Sequence, residues 1–257
     1  MPVSWTKCFA FRFGGGVDAT AEQLASAGLV RANWVSDHTL FRAQYTTTPT
    51  QAYCDELMGN ARGGKTHTYP SGSVPYSSNP ACITLNLEGF YDTEEARLRA
   101  FTALRRARAG LRKPRTQHPS APLGVYTLPE VDPRYWDGGS FPSSAYDLSD
   151  ERLRFLDLLC PSFYYQSWFF NGGRDAADIN EGWSNWLDAA MLVTDRPIWP
   201  FVQPQQTVNL GEGRAVTNEE LSALATTLRA KLRPQDGVIV WGDWGSRCET
   251  FMGYVNA

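Results

Sequence analysis

Apolar residues in this chain gather into short, nearly continuous runs separated by longer amphipathic stretches. The runs lie at 8–13, 29–36, 81–90, 123–128, 156–165, 198–204 and 238–244. Each has strand length and is rich in β-branched or aromatic residues. The first, Cys8-Phe9-Ala10-Phe11-Arg12-Phe13, runs into Gly14-Gly15-Gly16, which suits a turn. Helical periodicity fills the gaps. A helix is predicted over 18–27, with Asp18 or Thr20 as its cap and Gly28 as its stop, and others over 50–58, 93–109, 180–193 and 217–232. Thr93 precedes Glu94-Glu95 as a cap, while Gly110 and Pro114 end that helix. A short helical approach is predicted at 149–155, and 59–80, dense in Gly, Ser, Thr, Pro and Asn, reads as a long loop.

Buried apolar strands alternating with amphipathic helices are what a parallel sheet with both faces covered requires. About seven such strands favour one α/β domain over 1–257, a single (β/α) TIM-type barrel distorted by having fewer than eight strands. Prolines weaken the run at 198–204 as a strand. No GxGxxG turn follows any strand, which argues against a dinucleotide-binding sheet.

The run Ala81-Cys82-Ile83-Thr84-Leu85-Asn86-Leu87-Glu88 carries the clearest chemical signal. Asn86 and Glu88 share parity, so a strand presents them on one face, with Ile83, Leu85 and Leu87 on the other. A carboxylate at the tail of an apolar strand is costly to bury unless a cleft solvates it or a partner pairs with it. Barrel active sites lie at the C-terminal ends of the strands. The residues expected there are Trp34, Asp37, Asn86, Glu88, Tyr126, Glu130, Tyr164, Tyr165, Gln203, Trp241, Asp243 and Trp244. Flat aromatic faces, amides and carboxylates suit a sugar, whose rings have apolar faces and many hydroxyls.

Composition narrows the partners. A net charge of −3 gives no overall bias towards nucleic acid or an anionic membrane. A basic cluster, Arg97, Arg99, Arg105, Arg106, Arg108, Arg112, Lys113 and Arg115, falls mainly on one predicted helix and reads as a solvated face. Five cysteines without a CxxC pair read as reduced core residues, and His38, His67 and His118 are scattered, so neither a metal nor another cofactor is expected. The N-terminal residues lack a charged leader with an apolar stretch, and no run reaches membrane-spanning length. The expectation is a soluble protein, cytoplasmic or released by lysis. Gly59-Asn60-Ala61-Arg62-Gly63-Gly64-Lys65-Thr66 matches the phosphate-loop pattern GxxxxGK[ST]. A working phosphate loop leaves a strand and enters a helix, whereas here a helical segment precedes it and a Pro/Ser/Gly-rich one follows.

Glycoside cleavage takes a protonated carboxyl for the leaving oxygen and a second group as nucleophile or base. Glu88, set among apolar strands and aromatics, is the expected acid, because such surroundings raise a carboxyl pKa. Asp243, Glu130 and Asp37 compete for the second role. Substrate assistance by an acetamido group is a further route. The ordered pieces LNLEGF, LGVYTLP, LLCPSFYYQ, WPFVQP and DGVIVWGDW resemble the hyaluronidases, and more distantly the chitinase-type glycoside hydrolases, over about residues 80 to 245. The resemblance implies a barrel with one strand fewer than eight and an acid at Glu88. It also implies an acetamide-contacting tyrosine at Tyr164 or Tyr165, and a sugar-pocket tryptophan at Trp241. The chain departs from the family at Asn86, which stands where the family has Asp, and it shows neither the family's disulfide pattern nor its secretion signal. Two readings follow: a glycoside hydrolase acting on a carbohydrate, such as one containing an N-acetylhexosamine, and a sugar-binding barrel without catalysis.

Overall fold

The computed structural model describes residues 5–11, 17–69, 72–87, 93–113, 121–126, 151–165, 175–205 and 214–257. Six parallel strands form one sheet: β1 (Thr6–Phe11), β2 (Val30–Val35), β5 (Ile83–Leu85), β6 (Leu123–Val125), β7 (Phe201–Val202) and β8 (Gly237–Gly242). Their order across the sheet is β6-β5-β2-β1-β8-β7. The segment 157–163 joins the sheet's two edges. Cys160 bridges Tyr126 beside β6, while Leu159 and Ser162 bridge Ile198 and Phe201 beside β7, all in parallel. Leu159 N donates to Pro197 O at 2.9 Å and Phe163 N to Phe201 O at 2.8 Å. The sheet therefore closes into a barrel, with 157–163 as the seventh strand position and chain order equal to spatial order. All seven expected runs take their places in it. The prolines at 200 and 204 leave β7 only two residues long, as the missing amide donors dictate.

The helices cover the outside: α1 (Ala21–Ser26), α2 (Asp37–Leu40), α3 (Gln51–Gly63), α4 (Glu94–Arg112), α5 (Ala176–Val193), α6 (Asn218–Lys231) and α7 (Ser246–Asn256). Of the two caps expected for α1, Thr20 is the one used, in a reciprocal box with Gln23. Thr93 caps α4 as predicted. The loop expected at 59–80 is shorter, because α3 runs to Gly63 and an antiparallel hairpin, β3 (His67–Tyr69) with β4 (Gly72–Val74), fills part of it. Helix α5 starts at Ala176, capped by Asp175, before the predicted 180. The phosphate-loop pattern is the end of α3: Gly64 closes it at φ 68°, and Lys65 N donates to Asn60 O at 3.1 Å. Its chain direction, helix into hairpin, is the reverse of a phosphate-binding turn. No described helix is long and apolar enough to cross a membrane.

Strand parity sorts the core into two. Phe9, Val35, Ile83, Leu85, Leu87, Val125, Phe163, Val202 and Val240 pack outward beneath the helices. Cys8, Ala10, Ala32, Trp34, Cys82, Tyr126, Leu158, Cys160, Tyr164, Trp199, Phe201 and Ile239 fill the lumen, with Trp241 half-buried against them. Five free, buried cysteines match the reading of them as reduced core residues. Burial, followed by the neighbouring Cys82 thiol, pushes the Cys8 and Cys160 thiols well up. Lumen packing leaves little room: a Cβ on Gly124 would lie 2.4 Å from Cys160 Sγ.

Candidate functional site

The C-terminal half of the lumen is built from aromatic rings delivered by different strands. Trp34 comes from β2, Tyr126 follows β6, Tyr164 follows the 157–163 segment, Phe201 belongs to β7 and Trp241 to β8. Trp241 lies nearly parallel to Tyr126 (centroids 6.4 Å apart, 16°) and to Tyr164 (5.8 Å, 20°). Trp34 meets Tyr126 edge-on at 5.5 Å, Phe201 at 5.6 Å and Trp241, tilted, at 5.8 Å. Tyr126 closes the group against Phe201 at 5.0 Å. These separations are the favourable range for aromatic pairs. Tyr164 and Phe201 are almost completely buried and Trp34 and Tyr126 nearly so, whereas Trp241 keeps part of its surface open. Four of the rings are thus buried, and Trp241 is the member of this group that keeps the most solvent-accessible surface.

Amides border this platform. Asn86 follows β5, and its backbone N–H donates to Val35 O at 2.8 Å, which extends the β2–β5 ladder towards the mouth. Its side chain shares parity with the lumen residues Cys82 and Thr84. Gln203 follows Phe201 by two residues and shares its parity, and its buried Oε1 has no hydrogen-bond partner among the described residues. The hydroxyls of Thr84 and Ser162, on lumen-facing positions, are likewise buried and unpartnered there. A buried acceptor or donor left unmade costs about 1–3 kcal/mol, so polar atoms of this kind point to a ligand or to water.

Of the residues expected at the mouth the structure packs Trp34, Tyr126, Tyr164 and Trp241 together, and parity assigns Asn86 and Gln203 to the same side of the sheet. It does not bring Tyr165 or Trp244 there. Tyr165 points outward, where its hydroxyl donates to Glu220 O at 2.9 Å and accepts from Asn180 Nδ2 at 2.8 Å, and burial raises its pKa. Of the two tyrosines, Tyr164 packs with the lumen residues and Tyr165 with the outer layer, as successive strand residues face opposite sides. Trp244 packs edge-on against Phe9 at 5.4 Å in the outer layer. Asp243 is exposed beyond the end of β8, its carbonyl held by the Gln205 side chain. Asp37 opens α2 and accepts from His38 N at 2.6 Å. Glu88 and Glu130 lie outside the described residues. Phe201, Thr84 and Ser162 are not among the residues expected from sequence. Their parity with Gln203, Asn86 and Tyr164 is the available signal.

No protein-family model matches the chain, and no curated protein matches it. Solved structures of similar shape include bee venom hyaluronidase in complex with a hyaluronic acid tetramer, at 12% identity and a TM-score of 0.43, covering 88% of this chain and 95% of that one. A modular endo-β-1,4-mannanase from Cellulomonas fimi is similar at 12% identity and a TM-score of 0.48, covering 99% and 71%. A xylanase from Cellvibrio japonicus is similar at 11% identity and a TM-score of 0.46, covering 92% and 86%.

Proposed function

We propose that the barrel mouth binds carbohydrate and that the chain is a glycoside hydrolase with Glu88 as its general acid. The observation that carries the reading is the half-buried Trp241 ring, stacked on Tyr126 and Tyr164 with Trp34 and Phe201 packed against the same group, on the lumen side to which parity also assigns the Asn86 and Gln203 amides. The apolar face of a pyranose ring stacks on such a surface, and its hydroxyls satisfy the buried polar atoms of Gln203, Thr84 and Ser162. Glu88 stands two residues beyond Asn86 in the sequence, the spacing from which the acid is expected. In this reading Asn86 accepts through its Oδ1 from the acetamido N–H of an N-acetylhexosamine, which orients the acetamido oxygen to attack the anomeric carbon as the bond to the leaving oxygen breaks and Glu88 gives that oxygen its proton. Water then opens the cyclic intermediate, so the internal nucleophile takes the part that a second carboxylate takes elsewhere.

A second reading, a sugar-binding barrel without cleavage, is favoured by one observation. Asn86 carries no charge, and Asp243 is exposed beyond the end of its strand rather than set among the lumen residues. One experiment separates the two. Wild type and Glu88→Gln are incubated with chitin- and hyaluronan-derived oligosaccharides and assayed for new reducing ends and for binding. The hydrolase reading expects release by wild type, loss of release in the variant and retained binding. Binding without release by either protein selects the second reading, and full activity in Glu88→Gln sinks the assignment of the acid.

A further inference from the structure

Trp241 sits where the barrel wall changes its means of support. On one side it continues the β1–β8 ladder, paired with Ala10. On the other side the β7–β8 ladder is registered at Phe201–Ile239 and Val202–Val240 and ends there. Gly237 N donates to Ile198 O at 3.2 Å and Ile239 N to Pro200 O at 2.9 Å, so alternate residues of β8 bond towards β7. In that alternation the amide due to reach the Trp241 carbonyl is that of residue 204, a proline with no N–H to give.

A side chain makes the tie instead. Gln205 Nε2 donates to the Asp243 carbonyl and to Cys248 Sγ, the latter at 2.9 Å, and so joins the end of the β7 segment to the exit of β8 and to the first turn of α7. The donor must be the amide nitrogen, because a backbone carbonyl only accepts. Between Trp241 and Asp243 the chain turns at Gly242 with φ 119°, a conformation that a residue with a Cβ rarely adopts. A Cβ there would come 3.2 Å from Gln205 Oε1, so the clamp and the turn are fitted to each other.

We infer that Gln205 is a positioning residue for Trp241. Its amide replaces the strand bond that Pro204 withholds and fixes the Gly242–Asp243 exit, and the fixed exit holds the Trp241 ring nearly parallel to Tyr126 and Tyr164. Trp34, Tyr126, Tyr164 and Phe201 are buried and held by packing, whereas the half-buried Trp241 has less packing to set its plane. A preset plane spares a ligand the entropy of ordering that side chain. This consequence for binding rests on the carbohydrate reading of the mouth; the setting of the ring does not.

The test uses fluorotryptophan-labelled wild type, Gln205→Ala and the size-matched Gln205→Glu, read by fluorine NMR. Trp241→Leu assigns the Trp241 line among those of the nine tryptophans. A carboxylate cannot donate to the Asp243 carbonyl, so both variants are expected to shift or broaden the Trp241 line, while the lines of Trp5, Trp183 and Trp186 in the outer layer stay in place. Calorimetry with neutral oligosaccharides is expected to show affinity lowered about tenfold, roughly 1.4 kcal/mol, in Gln205→Glu, with Tm close to that of wild type. An unmoved Trp241 line in both variants would overturn the inference. So would a disturbance of equal size at all nine lines, which marks a general structural role. If wild type itself binds no oligosaccharide, the carbohydrate reading fails, and the fluorine spectra still decide the positioning role.

Discussion

The carboxylates at one end of the barrel and the neutral polar groups at the other are treated in opposite ways. At the N-terminal end the carboxylates that enter the described wall are saturated. Asp236, fully buried before β8, accepts from Ile198 N at 2.8 Å, from Arg233 N at 2.7 Å and from the Arg233 guanidinium at 2.9 and 3.0 Å, and its carbonyl receives Thr6 N at 3.1 Å. One residue thus pins the starts of β7, β8 and β1. Asp157 does the same for the start of β6, accepting from Leu123 N at 2.9 Å and from Arg108 on α4. At the C-terminal end Thr84, Ser162 and Gln203 keep buried polar atoms with no partner among the described residues, on the side of the barrel where the half-buried Trp241 lies. The first end is built to hold the wall together. The second gives up part of its hydrogen bonding, as a site built to bind a partner does.

The contrast predicts different failures. The largest effect belongs to Asp236→Ala, which strands Arg233 and the Ile198 amide. It should cost about 3–5 kcal/mol, seen as a lower midpoint in urea unfolding, while any sugar binding at the mouth survives where the protein stays folded. A loss below about 1 kcal/mol would mean that the saturated end does not carry the wall.

A smaller, pH-dependent effect is expected at Glu220. Burial acts to raise its pKa, but the bidentate Arg214 and the Thr217 amide outweigh burial and hold it below the ordinary carboxylate value. A depressed folded pKa makes the pair stabilising above the unfolded pKa, and the contribution fades as pH falls through the folded value. Wild type should therefore exceed Glu220→Gln in Tm near neutrality, and the gap should close on acidification. A gap that is constant with pH would assign the difference to packing instead.

Much of this arrangement is legible in the sequence. All seven strands, and the parity that places Asn86 opposite Ile83 and Leu85, follow from period-two patterning in buried runs. Three kinds of feature escape it. The hairpin at 67–74 hides in turn-rich sequence because its strands are three residues each and carry little apolar signal. Helix α7 has no side-chain cap at Gly245, so its start lacks the usual mark. Tyr165 and Trp244 look like mouth residues because aromatic residues at strand ends read alike in sequence. The strand ladder stops there, and only the positions of α6, α5 and Phe9 decide which rings serve the outer layer. Parity applied strictly exchanges Tyr165 for Phe201.

The central claim, that the part-open Trp241 face is the carbohydrate platform, is tested most directly by titration calorimetry of wild type and Trp241→Leu against neutral oligosaccharides. Leucine keeps the lumen apolar but removes the flat face. The account predicts binding by wild type and a loss of about thirtyfold, ~2 kcal/mol, in the variant. Equal affinity in the two proteins would contradict it.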